Sequence, residues 1–194
     1  MGRPLPSHVL FLANHVSWLD ILALAGASGT AFVSKDDVAG WPVIGWAARL
    51  NNTVFIARTD RRQVRGQADA LREALASGQP VALFPEGTTD GGAEVLPFRA
   101  SLLASLFPPM PGVKAQPVAL DFGPLAEDIA WVGEESARDN ALRILSRRGT
   151  IPVTLHFLGP LDPSEAGDRK VLAERSRAGI VEALTPSAAL PDRL

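Results

Sequence analysis

Short runs of apolar residues, rich in valine and phenylalanine, recur along the whole chain. Most of them contain no alternating polar positions, which is typical of strands buried on both faces of a sheet. They cover residues 9–13, 31–33, 54–56, 81–84, 118–120 and 153–157. The pattern therefore predicts six short strands in the interior of the fold.

Segments with the apolar spacing of helices lie between these runs. The clearest covers residues 61–76, with Asp60 placed to cap its start and Gly78 its end. Its apolar positions recur every three or four residues: Val64, Ala68, Leu71 and Leu75. Two further helices are expected over residues 134–148 and 164–184. Helices and strands thus alternate along the chain.

This alternation predicts an α/β fold, specifically a single-domain α/β sandwich with a largely buried mixed sheet flanked by helices. The pattern does not determine the strand order. A length of 194 residues suits one domain. We expect that domain to cover residues 1–185 and residues 186–194 to form a C-terminal tail.

Residues 101–113 combine leucines and phenylalanine with three prolines. The prolines indicate a rigid turn. The segment has two interpretations, an exposed apolar lip or a short core helix followed by a loop. The core helix is favoured, because apolar residues at helical spacing more often belong to a core.

The composition excludes several classes of function. Nineteen basic against twenty-one acidic residues give a net charge of -2, so the positive field typical of nucleic-acid binding is lacking. The absence of cysteine excludes disulfides and thiol nucleophiles and fits a reducing compartment. No apolar run reaches the ~20 residues that span a bilayer, and no secretory signal is present. We therefore expect a cytoplasmic protein.

The signatures of several enzyme classes are missing. The sequence contains no GxGxxG, no P-loop, no HExxH and no GxSxG. Its three histidines are not spaced like a compact metal site, so we expect no metal. His8 and His156, next to or within predicted strands, are interpreted as structural histidines.

His15 has chemically suitable neighbours. It lies in the segment NHVSWLD, residues 14–20, directly after the first predicted strand, where loops commonly carry catalytic groups. On a regular helix His15 and Asp20 would point ~140° apart. If a helix instead begins near Trp18, Asp20 can bind one imidazole nitrogen and leave the other free for substrate. This spacing predicts a general base with its orienting carboxylate.

Three further blocks follow, each at or just beyond a predicted strand. They are VFIAR at residues 54–58, FPEGTT at 84–89 and QPVAL at 116–120. Together with NHVSWLD, this ordered set resembles the glycerolipid acyltransferase family, which includes bacterial 1-acylglycerol-3-phosphate acyltransferases and carries NHxxxxD, FIxR-type, FPEGT and VxP-type motifs. The resemblance covers about residues 9–121.

The resemblance implies direct transfer of a fatty acyl group from acyl-CoA or acyl carrier protein to the hydroxyl of a lysolipid. His15 would take the proton of that hydroxyl, and Asp20 would orient the imidazole and stabilise the imidazolium. No cofactor beyond the acyl co-substrate is implied. Lysophosphatidic acid is the leading acceptor, which would give phosphatidic acid.

The same motifs imply contacts with substrate. Arg58 is expected to bind the acceptor's phosphate or carboxylate through its planar guanidinium. Glu86 is expected to bind acceptor hydroxyls or to organise the nearby cations. The remaining residues expected to bind substrate are Asn14, Lys35, Gly87 and Thr88.

Three positions depart from the family pattern. Thr89 stands where the third motif often has an arginine, Asn52 where a glycine is common, and Ala57 where an acidic residue is common. An alternative acceptor is therefore another bacterial lysolipid, such as lyso-ornithine lipid. A catalytically inactive lipid-binding homologue and a thioesterase are further alternatives.

Membrane attachment is expected to depend on local apolar surface. Only thirteen residues precede Asn14, whereas relatives usually carry apolar helices there, so we expect the anchor to be missing or reduced. The protein would then be peripheral on the inner face of the membrane. The candidate contacts are Trp41, Trp46, Leu106 and Phe107, each with core packing as its alternative.

Overall fold

The computed structural model describes residues 2–35, 54–56 and 61–185, which contain one six-stranded sheet. Its strands are β1 (Val9–Ala13), β2 (Ala31–Lys35), β3 (Val54–Ile56), β4 (Val81–Leu83), β5 (Lys114–Asp121) and β6 (Thr154–Phe157). They lie in the order β3-β2-β4-β1-β5-β6. The first five pair in parallel and β6 pairs antiparallel to β5. The predicted mixed sheet is confirmed.

Helices cover both faces of this sheet. They are α1 (Leu19–Ser28), α2 (Arg61–Ala76), α3 (Ala126–Ile129), α4 (Ala137–Leu145), α5 (Pro163–Ala166) and α6 (Arg169–Leu184), with short 3-10 helices at Ala100–Leu106 and Gly123–Leu125. Alternate residues of β1 enter two core clusters. The first cluster contains Phe11 together with Leu24 of α1. The second cluster contains Leu12 together with Leu75 of α2. Because both faces are buried, the central strand is apolar throughout.

Several predicted elements have different bounds in the structure, most clearly the last helix and β5. The helix expected over residues 164–184 is divided at Gly167, which has a φ of 79°, and Asp168 caps the second part by accepting from the N–H groups of Lys170 and Val171. β5 begins before the predicted run and includes Pro117. The Pro117 carbonyl accepts a hydrogen bond from the Leu158 N–H, 2.9 Å away.

The apolar segment around residue 103 belongs to the core, as the favoured interpretation predicted. Leu103 is fully buried, and Leu106 is only 1% exposed. The proposed membrane contact at Leu106 is therefore wrong, because its side chain is buried in the core cluster that also contains residues of α2 and α6. Phe107 is partly buried against the same cluster. Trp41 and Trp46 lie outside the described residues.

Some other expectations also fall outside the described ranges, namely the cap at Asp60 and the tail at residues 186–194. Within those ranges, none of the helices combines the length with the apolar character needed to cross a membrane.

Candidate active site

The His15 loop, residues 14–18, and the FPEG loop, residues 84–87, meet at one edge of the sheet. The first follows β1 and the second follows β4. These strands are parallel neighbours, so their carboxyl ends, where loops often carry functional groups, lie side by side. The phenyl ring of Phe84 stacks on the imidazole of His15, with centroids 4.1 Å apart and planes 14° apart. The sheet thus brings the first and third sequence blocks into contact.

Asp20 holds the imidazole of His15. Its Oδ2 lies 2.8 Å from Nδ1 of His15 and also accepts hydrogen bonds from the backbone N–H groups of Val16 and Ser17, at 2.7 and 2.9 Å. α1 begins at Leu19, so the carboxylate stands in its first turn and reaches back to the N–H groups of the loop that precedes the helix. Asp20 is fully buried. The pairing through one ring nitrogen agrees with the sequence prediction.

The other ring nitrogen of His15 faces outward. The side chain is 19% exposed, and no atom of the described residues forms a hydrogen bond with Nε2. Nδ1 lies against a carboxylate, so it carries the proton when the ring is neutral, and Nε2 has a free lone pair. This arrangement can accept a proton from a hydroxyl group at the surface of the site.

Asn14 fastens the loop to β5. Its Nδ2 donates to the Leu120 carbonyl at 3.1 Å, and its Oδ1 accepts from the Leu120 N–H at 2.8 Å. The side chain is only 2% exposed. Both polar groups of Asn14 therefore contact the main chain of the neighbouring strand.

Glu86 joins the two loops. Its Oε1 accepts from the His15 N–H and its Oε2 from the Leu96 N–H, both at 2.8 Å. The residue is 1% exposed. Burial raises the pKa of the Glu86 carboxyl from 4.5 to about 8, and the charges of Asp90 and Asp20 add to the rise, against the lowering effect of the two N–H groups. Near neutral pH a largely protonated carboxyl therefore supports the main chain of His15.

The turn after Glu86 is held at several points. Gly87 has a φ of 75°, where a residue with a side chain would be strained. Thr88 is exposed. Thr89 donates its hydroxyl to the Trp131 carbonyl, and the Trp131 N–H donates to the Val16 carbonyl at 3.0 Å. Thr89 thus connects this turn to the segment that supports the His15 loop.

Three supporting residues were not predicted from the sequence. Asp90, 4% exposed, donates its N–H to the His15 carbonyl at 2.8 Å, and burial raises its pKa. Trp131 supports Val16, as described above, and Arg99 lies beside Gly87. Phe84 is part of the FPEGTT block, so the sequence already indicated that it lies at the site. Asp90, Trp131 and Arg99 stand outside every motif, so nothing in the sequence indicated their role.

The predicted cations are only partly described. Lys35 is the last residue of β2, paired in register with Ile56 of β3, and Arg58 lies outside the described residues. His8 and His156 have other partners: Nδ1 of His8 lies 3.0 Å from the Leu75 carbonyl, and Nε2 of His156, in β6, lies 3.9 Å from Oδ2 of Asp121. Among the described residues, no three His, Cys, Asp or Glu side chains are grouped so as to hold a metal ion.

The raised pKa of Glu86 predicts that the protein loses stability as the pH rises. The folded state keeps this proton up to about pH 8, whereas the unfolded chain releases it near 4.5. The stability that this difference in pKa contributes is fully present below pH 4.5 and is lost as the pH rises through about 8. Asp90 acts in the same direction. We expect the free energy of unfolding, measured with urea, to fall by a few kcal/mol between about pH 5 and 9.

Glu86→Gln is the matched variant for this measurement. It should be less stable overall, because an amide nitrogen cannot accept the bond from the Leu96 N–H. Its unfolding free energy should nevertheless depend much less on pH. The carboxyl of Asp162 does not contribute between about pH 5 and 9. Its bond with Lys114 lowers its pKa to about 2, so it titrates at a lower pH. A wild-type stability that stays constant or increases over the window would contradict the assignment.

Comparisons with known proteins agree with the sequence blocks. A family model described as acyltransferase matches residues 3–121. The chain is 37% identical to a lyso-ornithine lipid O-acyltransferase of Rhodobacter capsulatus, over 92% of this chain and 67% of that protein. It is 35% identical to a 1-acyl-sn-glycerol-3-phosphate acyltransferase of Neisseria meningitidis, over 93% of this chain and 72% of the relative.

A solved structure has the same fold. The crystal structure of the 1-acyl-sn-glycerophosphate (LPA) acyltransferase PlsC from Thermotoga maritima matches with a TM-score of 0.65, over 96% of this chain and 70% of that one. The two sequences are 24% identical, so this likeness supports the fold alone.

Proposed function

The chain belongs to the acyltransferase family, and from this membership we propose that it transfers a fatty acyl group from acyl-CoA or acyl carrier protein to the hydroxyl of a lysolipid. The observation that carries the proposal is the His15–Asp20 pair. A buried carboxylate holds Nδ1 at 2.8 Å, and Nε2 is left for the substrate. This is the arrangement that general-base activation of a hydroxyl requires.

The reaction follows from this pair. Nε2 of His15 takes the acceptor's hydroxyl proton while the oxygen attacks the thioester carbonyl. The resulting tetrahedral intermediate collapses, the carbon–sulfur bond breaks, and the thiolate leaves with the proton from the imidazolium. The Asp20 carboxylate stabilises the imidazolium between the two steps. No acyl-enzyme forms, and no cofactor beyond the acyl donor takes part.

The remaining motif residues divide into two proposed roles. Asn14 and Glu86 position the His15 loop, because their polar atoms are occupied by the main chain of Leu120, His15 and Leu96. Gly87 keeps space beside the FPEG loop. The residues proposed to contact substrate are Lys35, Arg58 and Thr88.

Lysophosphatidic acid is the proposed acceptor, and lyso-ornithine lipid is the second candidate. The Neisseria relative carries the name of the first activity and the Rhodobacter relative that of the second. Thr89 favours the second candidate, because it replaces an arginine that could bind phosphate and its hydroxyl is already bonded to the Trp131 carbonyl.

An acyl-transfer assay with purified protein tests both candidates. Radiolabelled acyl-CoA or acyl carrier protein is supplied with each lysolipid, and the acylated product is quantified. We expect strong, selective turnover of lysophosphatidic acid, whereas selective turnover of lyso-ornithine lipid would establish the second candidate. Lipid binding without acyl transfer from any donor would refute the proposed enzymatic activity and support a catalytically inactive lipid-binding homologue. Release of free fatty acid alone would indicate a thioesterase.

We also propose that the protein works at a membrane surface, on the cytoplasmic side. Its acceptor carries a fatty chain that leaves a bilayer only at a cost of ~0.8 kcal/mol per CH₂. Exposed apolar side chains support docking: Leu22 of α1 is 40% exposed, and Leu142 and Leu145 of α4 are 53% and 68% exposed. The protein should float with lysolipid-containing vesicles, and a protein that stays wholly in the soluble fraction would contradict this attachment.

A further inference from the structure

Arg99 lies against the FPEG loop with both its main chain and its side chain. Its N–H donates to the Pro85 carbonyl at 2.8 Å. A Cβ added to Gly87 would lie 3.2 Å from each of Cζ, Nε and Nη1 of Arg99. The guanidinium therefore lies closely against the position that a side chain at residue 87 would take. Gly87 directly follows Glu86, whose carboxyl accepts from the His15 N–H.

Within the part of the chain that the structure describes, the charge of Arg99 has no counterion. Its side chain is exposed, and none of the described residues forms a hydrogen bond or an ion pair with its guanidinium. Several other arginines bind carbonyl or carboxylate groups through their guanidinium groups: Arg72, Arg143, Arg147 and Arg177. Arg99 is thus a cation against the FPEG loop, the loop whose Glu86 binds the His15 N–H, and no described residue occupies its charge.

We propose that Arg99 binds the phosphate monoester of the acceptor and supplies the guanidinium that the third motif lacks at Thr89. This inference rests on the proposed acyl transfer and specifies its acceptor as a lysolipid with an anionic headgroup. A guanidinium presents paired N–H donors that match two phosphate oxygens. Gly87 serves the same end, because any larger residue there would push the guanidinium away from the loop.

Arg99→Gln tests the proposal, since it removes the charge and keeps most of the side-chain length. We expect the KM for lysophosphatidic acid to rise roughly 10- to 100-fold, the range for losing a charge-assisted hydrogen bond. The kcat and the KM for acyl-CoA should stay near their wild-type values. Arg99→Lys should recover part of the loss, because an ammonium keeps the charge without the planar fork. Arg148→Gln, at another exposed arginine, is the control and should change neither KM.

Two results would overturn the assignment. A rise in the KM for acyl-CoA alone would place the guanidinium on the donor's phosphates. An equal loss with 1-monoacylglycerol, whose headgroup is uncharged, would show that Arg99 does not recognise the phosphate.

A binding measurement separates this inference from the proposed function. Short-chain lysophosphatidic acid is titrated calorimetrically into the wild type and Arg99→Gln without any acyl donor. We expect weaker binding to the variant by about the same factor as the KM change. If the wild type transfers no acyl group but binds lysophosphatidic acid more tightly than Arg99→Gln does, the proposed function is refuted and the phosphate site at Arg99 is supported. If the wild type transfers acyl groups and both proteins bind lysophosphatidic acid equally, the phosphate site is refuted and the proposed function is supported.

Discussion

His15→Ala should lower acyl transfer by roughly 100- to 10,000-fold while leaving the protein folded. General-base catalysis contributes a factor of this size. The other histidines cannot replace the lost imidazole on Asp20, because Nδ1 of His8 lies 3.0 Å from the Leu75 carbonyl and Nε2 of His156 lies 3.9 Å from Asp121. The main-chain bonds of residue 15 to Glu86 and Asp90 do not depend on its side chain. The kcat/KM for the acceptor, measured with a thermal unfolding curve of each protein, checks the expectation.

The control is His156→Ala. His156 is in β6, where its Nε2 lies 3.9 Å from Oδ2 of Asp121, and its loss should leave turnover close to wild type. Near-normal transfer by folded His15→Ala would eliminate the general-base mechanism. Equal losses in the two variants would mean that the assay responds to disturbance of the sheet and not to the chemistry of His15.

Much of the fold could be predicted because the strands are nearly uniform apolar runs. β1 is buried on both faces, with Leu10 in one core cluster and Phe11 in the other. Every residue of the strand is therefore apolar, and this run is recognisable in the sequence as a buried strand. β5 was only partly predicted. Pro117 cannot donate to a sheet ladder and normally marks a loop, yet it lies inside this strand opposite Leu12. The strand order depends on long-range pairing, which local periodicity does not contain.

The pairing of His15 with Asp20 could be predicted because it is local. Five residues separate them, and a helix start between them leaves few geometries in which both side chains meet. The part played by Glu86 could not be predicted in the same way. Its contacts with His15 and Leu96 span 71 and 10 residues of the chain. The presence of a glutamate in the motif does not indicate that both of its oxygens bind main-chain N–H groups.

Surface and core could not be separated for isolated apolar residues. Leu106 resembled an exposed lip residue beside prolines and is buried, whereas Leu145 ends an ordinary amphipathic helix and is 68% exposed. Exposure depends on which neighbouring element covers a side chain, and that follows from the tertiary fold. Arg99 was missed for a related reason, because only the folded chain brings it to Gly87.

Asp20→Asn should reduce kcat/KM by roughly 100- to 1,000-fold, somewhat less than loss of the base itself. Oδ2 of Asp20 accepts from the N–H groups of Val16 and Ser17 as well as from His15. An asparagine must therefore place its carbonyl oxygen there, because its NH₂ group cannot accept those bonds. The imidazole keeps its orientation and its Nδ1 proton. What the variant removes is the negative charge that stabilises the imidazolium.

Thermal unfolding distinguishes loss of charge from loss of structure in Asp20→Asn. Because the asparagine oxygen can still accept from the N–H groups of Val16 and Ser17, the melting temperature should stay close to wild type while the activity falls. Asp20→Ala also leaves the N–H groups of Val16 and Ser17 without their acceptor, so it should lower the melting temperature as well as the activity. An Asp20→Asn variant that keeps near-normal activity would show that Asp20 acts only by holding the loop before α1.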